Sequence, residues 1–420
     1  MFGELRHILS RFRINCFDIN FILIFIGFSF FTSVSSLSSV LYRAAALGVA
    51  MICVIKRKKY FTIEKGNYYW FFIVLLFLFM ASAVFGLYSG KYSGFYYNGG
   101  RNLALMFGFG IMLIPMLVAV KGFNELNQNT VLWVMLIILS VMLGSAITGS
   151  AIESNTGRYA LNERQSTLAF GDNGSYLAIL GSCLLAKLKN YQFHRSSTLL
   201  KAICIMAIII GSLSALRSGS RGPVLGMLAG LLFIFSTIGL RKIILFLSLG
   251  IILVFALNID TFIENFAAVF FDRMDATIEE GDMNGRDEIF ALALQTIKDN
   301  PILGSSPIIL GREAFVGYHN YYLTIGVGLG VIGLLCIITL VIMLLYKSYK
   351  KRHNIASPFN LFIISIFYVV AVRGITGINP FSDAIANTAI AYTAILMWKS
   401  NILINPNFHR KKKLKKIASI

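Results

Sequence analysis

Apolar residues in this chain neither alternate as in a half-buried strand nor recur only at helical spacing. They come in unbroken runs, and about 18–20 consecutive apolar residues are enough to cross a bilayer as one helix. The pattern predicts about twelve spans, at 17–36, 38–55, 68–87, 102–120, 130–149, 166–186, 198–215, 222–240, 243–258, 321–346, 357–373 and 381–398. The fold class expected is an all-α polytopic membrane protein. Residues 1–258 carry spans one to nine and 259–320 form a long outward loop. Residues 321–398 carry the last three spans, and 399–420 form a basic cytoplasmic tail.

Orientation comes from the connections. KRKK (56–59), Lys121, KLKNYQFHR (187–195), Arg241–Lys242, KSYKKR (347–352) and the tail HRKKKLKK (409–416) all fall on one side. With both termini cytoplasmic, every one obeys the positive-inside rule. The first apolar run follows the basic segment Arg6–Arg13 and shows no small-residue cleavage pattern, so it reads as a membrane helix rather than a signal peptide.

The long connection far exceeds the usual loop of about 4–6 residues. Within it, GRDEIFALALQTIKDNP (285–301) places Ile289, Leu292, Ala293 and Ile297 at roughly helical spacing, with acids near its start. Pro301 and Gly304 end it. One or two short amphipathic helices over the outward mouth of the bundle are expected.

Composition sharpens this picture. The chain is 57% hydrophobic and 14% charged over 420 residues, more apolar surface than a soluble domain needs. Its net charge of +19 is explained by the cytoplasmic loops. The basic tail suits anionic headgroups and lacks the aromatic interleaving of a nucleic-acid surface, so membrane lipids are expected partners and nucleic acid is not. Cys16, Cys53, Cys183, Cys204 and Cys336 form no close pair in sequence and read as packing residues.

The outward cations differ from the inward ones in kind. They are Arg101, Arg158, Arg164, Arg217, Arg221, Arg273, Arg286, Arg312 and Arg373, with only Lys91 and Lys298 beside them. Arginine grips phosphate through a planar bidentate fork. The outward face therefore looks built for a phosphate or pyrophosphate. The ordinary alternative is pairing with outward acids such as Asp272, Asp275, Glu288 and Glu313.

Three outward constellations could carry chemistry. In SGSRGP (218–223), Gly219 and Gly222 permit close backbone approach, Pro223 suits the first position of a helix, and Arg217 and Arg221 flank the turn. The bland reading is a turn with snorkelling arginines. Arg286 opens the loop helix, where the dipole disfavours a cation and an anionic ligand is the natural partner, unless Asp287 and Glu288 serve. His319, between Tyr318 and Asn320 and ahead of Tyr321 and Tyr322, is the one histidine outside the Lys/Arg-rich stretches that hold His7, His194, His353 and His409. Its imidazole could take a proton from a sugar hydroxyl, Asn320 could orient it or bond a sugar, and the tyrosines offer stacking faces. The alternative there is an interfacial aromatic belt. No phosphate loop, HExxH or paired acidic motif is present, and Asp272 with Asp275 lacks a third ligand. A metal-independent reaction without cofactor is expected.

SGSRGP after a hydrophobic span, then GRDEIFALALQTIKDNPILGSSP, then HNYYLTIGVGLGVIG leading into a span, together resemble the O-antigen polymerase and ligase superfamily. The resemblance covers roughly residues 210–346. GRYALNERQSTLAFGDNGSYLAILG (157–181) is similar to the family's earlier arginine-bearing segment. It implies a GT-C-like membrane glycosyltransferase of the bacterial inner membrane, acting on its periplasmic side. The donor would be an undecaprenyl-pyrophosphate-linked oligosaccharide, and a chain-length regulator would be a partner. His319 would be the motif histidine, Arg221 the SRG arginine and Arg286 the loop-helix arginine. Arg158, rather than Arg164, would match the earlier arginine. Arg217, Arg312, Asn320, Tyr318 and Tyr322 would bind substrate.

The leading expectation is an O-antigen polymerase, transferring the growing glycan to a lipid-linked repeat unit with inversion at the anomeric carbon. The alternatives are a ligase using lipid A–core as acceptor, a protein oligosaccharyltransferase, and a non-catalytic lipid or polysaccharide transporter. Transporters place ionisable groups and broken helices near mid-membrane. Here the candidates gather at one face, with only Arg43 read as lying within a span.

Overall fold

The computed structural model describes residues 15–33, 39–56, 125–148, 150–151, 159–160, 167–187, 197–238, 286–305, 320–376 and 384–398, with isolated positions at 115, 118–119, 122, 270–271 and 275. These are overwhelmingly helical. The long helices are α1 (Cys16–Ser33), α2 (Ser39–Lys56), α3 (Gln128–Thr148), α4 (Thr167–Lys187), α5 (Ser197–Arg217), α6 (Arg221–Thr237), α7 (Arg286–Asp299), α8 (Tyr321–Lys350), α9 (Pro358–Arg373) and α10 (Ala384–Trp398). A two-residue antiparallel ladder joins Ser150–Ala151 to Tyr159–Ala160. All but α7 coincide with expected spans. Expected spans 68–87 and 243–258, most of 102–120, and the basic tail lie outside the described residues.

Three stretches, Thr130–Thr148, Thr198–Arg217 and Tyr321–Lys350, are long and apolar enough to cross a membrane. Their outer faces stay apolar: Trp133, Ile147, Leu199, Met206, Leu335 and Ile342 are all exposed. A helix that is apolar on both its buried and its exposed faces fits a hydrocarbon solvent, not water.

At the centre α4 packs against α3, α5, α6 and α9. It is buried almost continuously from Phe170 to Leu184, and α9 likewise from Pro358 to Val370. Small residues make the α4–α5 contact close. A Cβ at Gly174 would meet the Gly211 carbonyl oxygen at 2.6 Å, and one at Gly181 would meet that of Cys204 at 2.8 Å. Without side chains in the way, two helix backbones approach and gain dispersion contacts that lipid cannot offer. Phe21, Phe25, Phe359 and Tyr392 clamp α1, α9 and α10 through tilted and edge-on ring contacts.

The loop helix forms where its spacing predicts, with one correction. Ile289, Ala293 and Ile297 face α8 and pack on Leu323 and Val327. Leu292 is 54% exposed instead. Residues four apart stay on one face, and Leu292 lies off that stripe.

A second correction concerns expected span 321–346, which is not one straight helix. Gly330 has φ 72° and ψ −174°, a conformation that glycine alone adopts readily, and it breaks α8. The chain just after α7 fills the break. Val331 N donates to Pro301 O at 2.8 Å, and Ser305 donates to Val327 O from its amide (2.7 Å) and its hydroxyl (3.1 Å). Gly304, at φ 71°, lies against Gly328 and Gly330 with no room for a Cβ. Backbone groups freed by a break must find partners where no water reaches, and residues 301–305 supply them. From Val331 onward α8 continues for about 30 Å, still a bilayer's hydrocarbon thickness.

Candidate functional site

The turn between α5 and α6 is shaped by its own residues. Ser218 N donates to Ser214 O, and Gly219, at φ 59°, donates to Leu216 O and ends α5 in the left-handed conformation. Ser218 Oγ donates to Ala215 O at 2.7 Å and accepts from Ser220 N at 3.2 Å. The chain re-enters helix at Arg221, so Pro223 is the third helical residue and not the first as expected. It costs nothing there, because the amides of the first four positions have no intrahelical partner. Ser220 precedes α6 in extended conformation without capping it by its side chain, its hydroxyl reaching Ser218 O at 3.4 Å. Arg217 and Arg221 stand on either side, each half-buried. The expected pairing of two arginines with a helix N-terminus is present.

This turn is held against α4 and α9. Ser175 Oγ donates to Pro223 O at 2.8 Å, and a Cβ at Gly171 would meet Ser218 Oγ at 2.5 Å. A Cβ at Gly222 would meet Thr376 Oγ1 at 2.8 Å and Arg373 Nε at 3.7 Å. Arg373 in turn forms an ion pair with Asp172 at 2.6 Å, their side chains 3% and 18% exposed. The cation sits in the last turn of α9, where the helix dipole favours it.

The start of α8 meets the same end of α9. Tyr321 N donates to Gly374 O at 2.6 Å, and Tyr322 Oη donates to Ala371 O at 2.9 Å. Asn320 Oδ1 accepts from the amides of Tyr322 and Leu323, both at 3.0 Å, and so caps the helix. Two helix N-termini, those of α6 and α8, therefore converge on Arg373–Thr376.

Among the predicted site residues, Arg217, Arg221, Asn320 and Tyr322 come together here. Asn320 serves as a cap, and the Tyr322 hydroxyl holds a backbone carbonyl, uses the sequence did not suggest. Arg286 is the first residue of α7, as expected. His319, Tyr318, Arg312 and Arg158 lie outside the described residues. Sequence reasoning missed Asp172 and saw Arg373 only as one more outward cation. The overlooked signal was an acid inside an apolar span, which by itself marks a functional or paired position.

A cleft of about 450 Å³ lined by Asn15, Cys16, Lys56 and Glu125 lies beside the start of α1 and the end of α2, away from these residues. At that end Asn15 and Asp18 cap α1 reciprocally, and Lys351 Nζ donates to Met397 O at 2.9 Å. Burial pulls the Lys351 ammonium below its ordinary pKa.

No curated protein matches the chain. A family model does match: residues 206–338 fit the model described as O-antigen ligase, whose members are glycosyltransferase-like enzymes. The stretch takes in the end of α5, the SGSRGP turn, α6, α7 and the start of α8, but neither Asp172 nor Arg373. Residues 206–338 thus match an O-antigen ligase family model, consistent with the O-antigen polymerase and ligase superfamily that the sequence resembles.

Proposed function

We propose that the protein transfers a glycan from an undecaprenyl-pyrophosphate donor to a sugar hydroxyl, acting as an O-antigen polymerase. The observation that carries this reading is the convergence of the α6 start, with Arg217 and Arg221, and the α8 start, two residues after His319 in the sequence, on Arg373–Thr376. Arginines and first-turn amides suit a pyrophosphate, and a neighbouring histidine suits the acceptor.

In the proposed step the acceptor oxygen attacks the anomeric carbon and His319 takes its proton. The bond from that carbon to the pyrophosphate oxygen breaks. Undecaprenyl pyrophosphate leaves as an anion held by Arg221 and Arg286, which stabilise charge as it develops. Direct displacement inverts the anomeric centre. The reaction takes place on the periplasmic face of the inner membrane, with both termini cytoplasmic, and a partner regulator sets chain length. Arg158, Arg312 and Tyr318 contact substrate in this reading.

The broken helix does not favour a transporter. The break at Gly330 is filled by residues 301–305.

Purified full-length protein given only synthetic undecaprenyl-pyrophosphate repeat units tests the polymerase. A ladder of products supports it, and His319→Ala should slow it by about 10²–10⁴-fold, the usual contribution of a general base. Near-normal turnover of His319→Ala refutes the role of His319. The name of the matched family model favours a second reading, the ligase. A deletion strain separates them: loss of a polymerase leaves core bearing one repeat unit, and loss of a ligase leaves core bearing none.

A further inference from the structure

The ion pair between Asp172 and Arg373 lies outside the matched stretch, on α4 and α9, and no step of the proposed reaction uses it. Two features set it apart from an ordinary interhelical bridge. The first is burial. The Arg373 side chain is 3% exposed, and withdrawing two charges from water is costly without excellent geometry, so its retention at one end of an apolar bundle calls for a reason. The second is what surrounds it. On one side the stem and Nε of Arg373 lie 3.6 and 3.7 Å from where a Cβ of Gly222 would stand, in the first turn of α6. On another, the next residue, Gly374, accepts the Tyr321 amide that opens α8. Arg373 O also accepts from the Thr376 amide at 2.9 Å and hydroxyl at 3.2 Å, which places Thr376 against Gly222. Asp172 lies next to Gly171, whose missing side chain admits Ser218 and Pro223 of the same turn. The pair is thus the one salt bridge found among the described residues, and it stands where both candidate ligand-binding helix starts are fastened.

We infer that Asp172 and Arg373 are positioning residues: their pair sets the register of the α6 and α8 starts, so that Arg221 meets the pyrophosphate of the lipid donor. This rests on the proposed function. It assigns the pair no contact with substrate. Held by Asp172, Arg373 stays across α4 and α9 and does not itself take the anion.

The test is equilibrium binding of radiolabelled undecaprenyl pyrophosphate to the purified full chain in detergent, with folded fraction read from thermal melts. Wild type should bind and Arg221→Ala should weaken binding. Asp172→Asn should weaken it by about tenfold per folded molecule, and by less than about twofold when Arg221→Ala is already present, because coupled groups are non-additive. Asp172→Asn that melts earlier but binds as wild type, or whose effect adds fully to that of Arg221→Ala, overturns the inference while leaving the functional reading intact. Wild type that binds no undecaprenyl pyrophosphate overturns the functional reading itself. Should Asp172→Asn fail to fold, Gly222→Ala replaces it: the pair stays, but the new Cβ pushes on Thr376 and Arg373. Binding weakened about threefold or more supports the inference, and unchanged binding by the folded variant overturns it.

Discussion

Gly330→Ala distinguishes a broken α8 from a continuous one by the sign of its effect. In an uninterrupted helix interior, replacing glycine by alanine stabilises by about 0.8–1 kcal/mol. In this structure the position has φ 72° and ψ −174°, and a Cβ would strike the Ile302 carbonyl oxygen and stand 2.6 Å from that of Pro301. Two responses are open to the variant. It can keep the break, at about 1–3 kcal/mol for the backbone conformation and a similar amount for the crowding. Or it can straighten α8 and expel residues 301–305. That loses the Val331–Pro301 bond and both Ser305–Val327 bonds, at about 1 kcal/mol each, less the helix propensity gained. The cheaper route sets the loss, so it is at most about 2 kcal/mol. Hydrogen exchange on the purified protein in detergent reads it directly. The amide of Ser305 should exchange about 30-fold faster, at a factor of ten per 1.4 kcal/mol. The melting temperature should fall. A variant with unchanged protection and a raised melting temperature would show that α8 runs straight through and that the account of residues 301–305 is wrong.

Other changes follow from the same packing. Gly174→Ala should destabilise by about 1–3 kcal/mol, because its Cβ meets backbone atoms of Gly211 and Ala215, whereas Gly144→Ala, with open space around it, should be neutral or slightly stabilising in the same thermal melts. Asn320→Ala should lower stability by about 1 kcal/mol through loss of the α8 cap. Asn320→Asp should keep the cap and the melting temperature yet weaken binding of a lipid pyrophosphate by repulsion; equal binding by both proteins would remove the anion from this end of the bundle. Tyr322→Phe removes the donor to Ala371 O and should cost about 1 kcal/mol, with unchanged stability counting against that bond.

The sequence by itself determined what local physics controls. Runs such as VLWVMLIILS in α3 and VIGLLCIITLVIMLL in α8 have no stable home in water, so membrane-length helices could be read at once. The loop helix was equally legible: the stretch from Arg286 to Asp299 becomes a helix with the expected inward stripe, Leu292 apart, whereas the roles of Gly219 in ending α5 and of Asn320 in capping α8 were not read from the sequence. The arginines beside SGSRGP were correctly placed near a helix start. What the tertiary structure alone decided depends on contacts between distant segments. The glycines of GVGLGVIG read as one helix because nothing local says that residues 301–305 will enter at Gly330 and take over its hydrogen bonds. Tyr322 looked like a ligand for sugar until α9 supplied Ala371 O to its hydroxyl. Asp172 and Arg373 find each other only when α4 and α9 pack side by side. Hydrophobic periodicity records which solvent a segment prefers. It carries no information on which buried charge, carbonyl or glycine another segment will bring to meet it, because those pairings are made by shape and distance after the helices assemble.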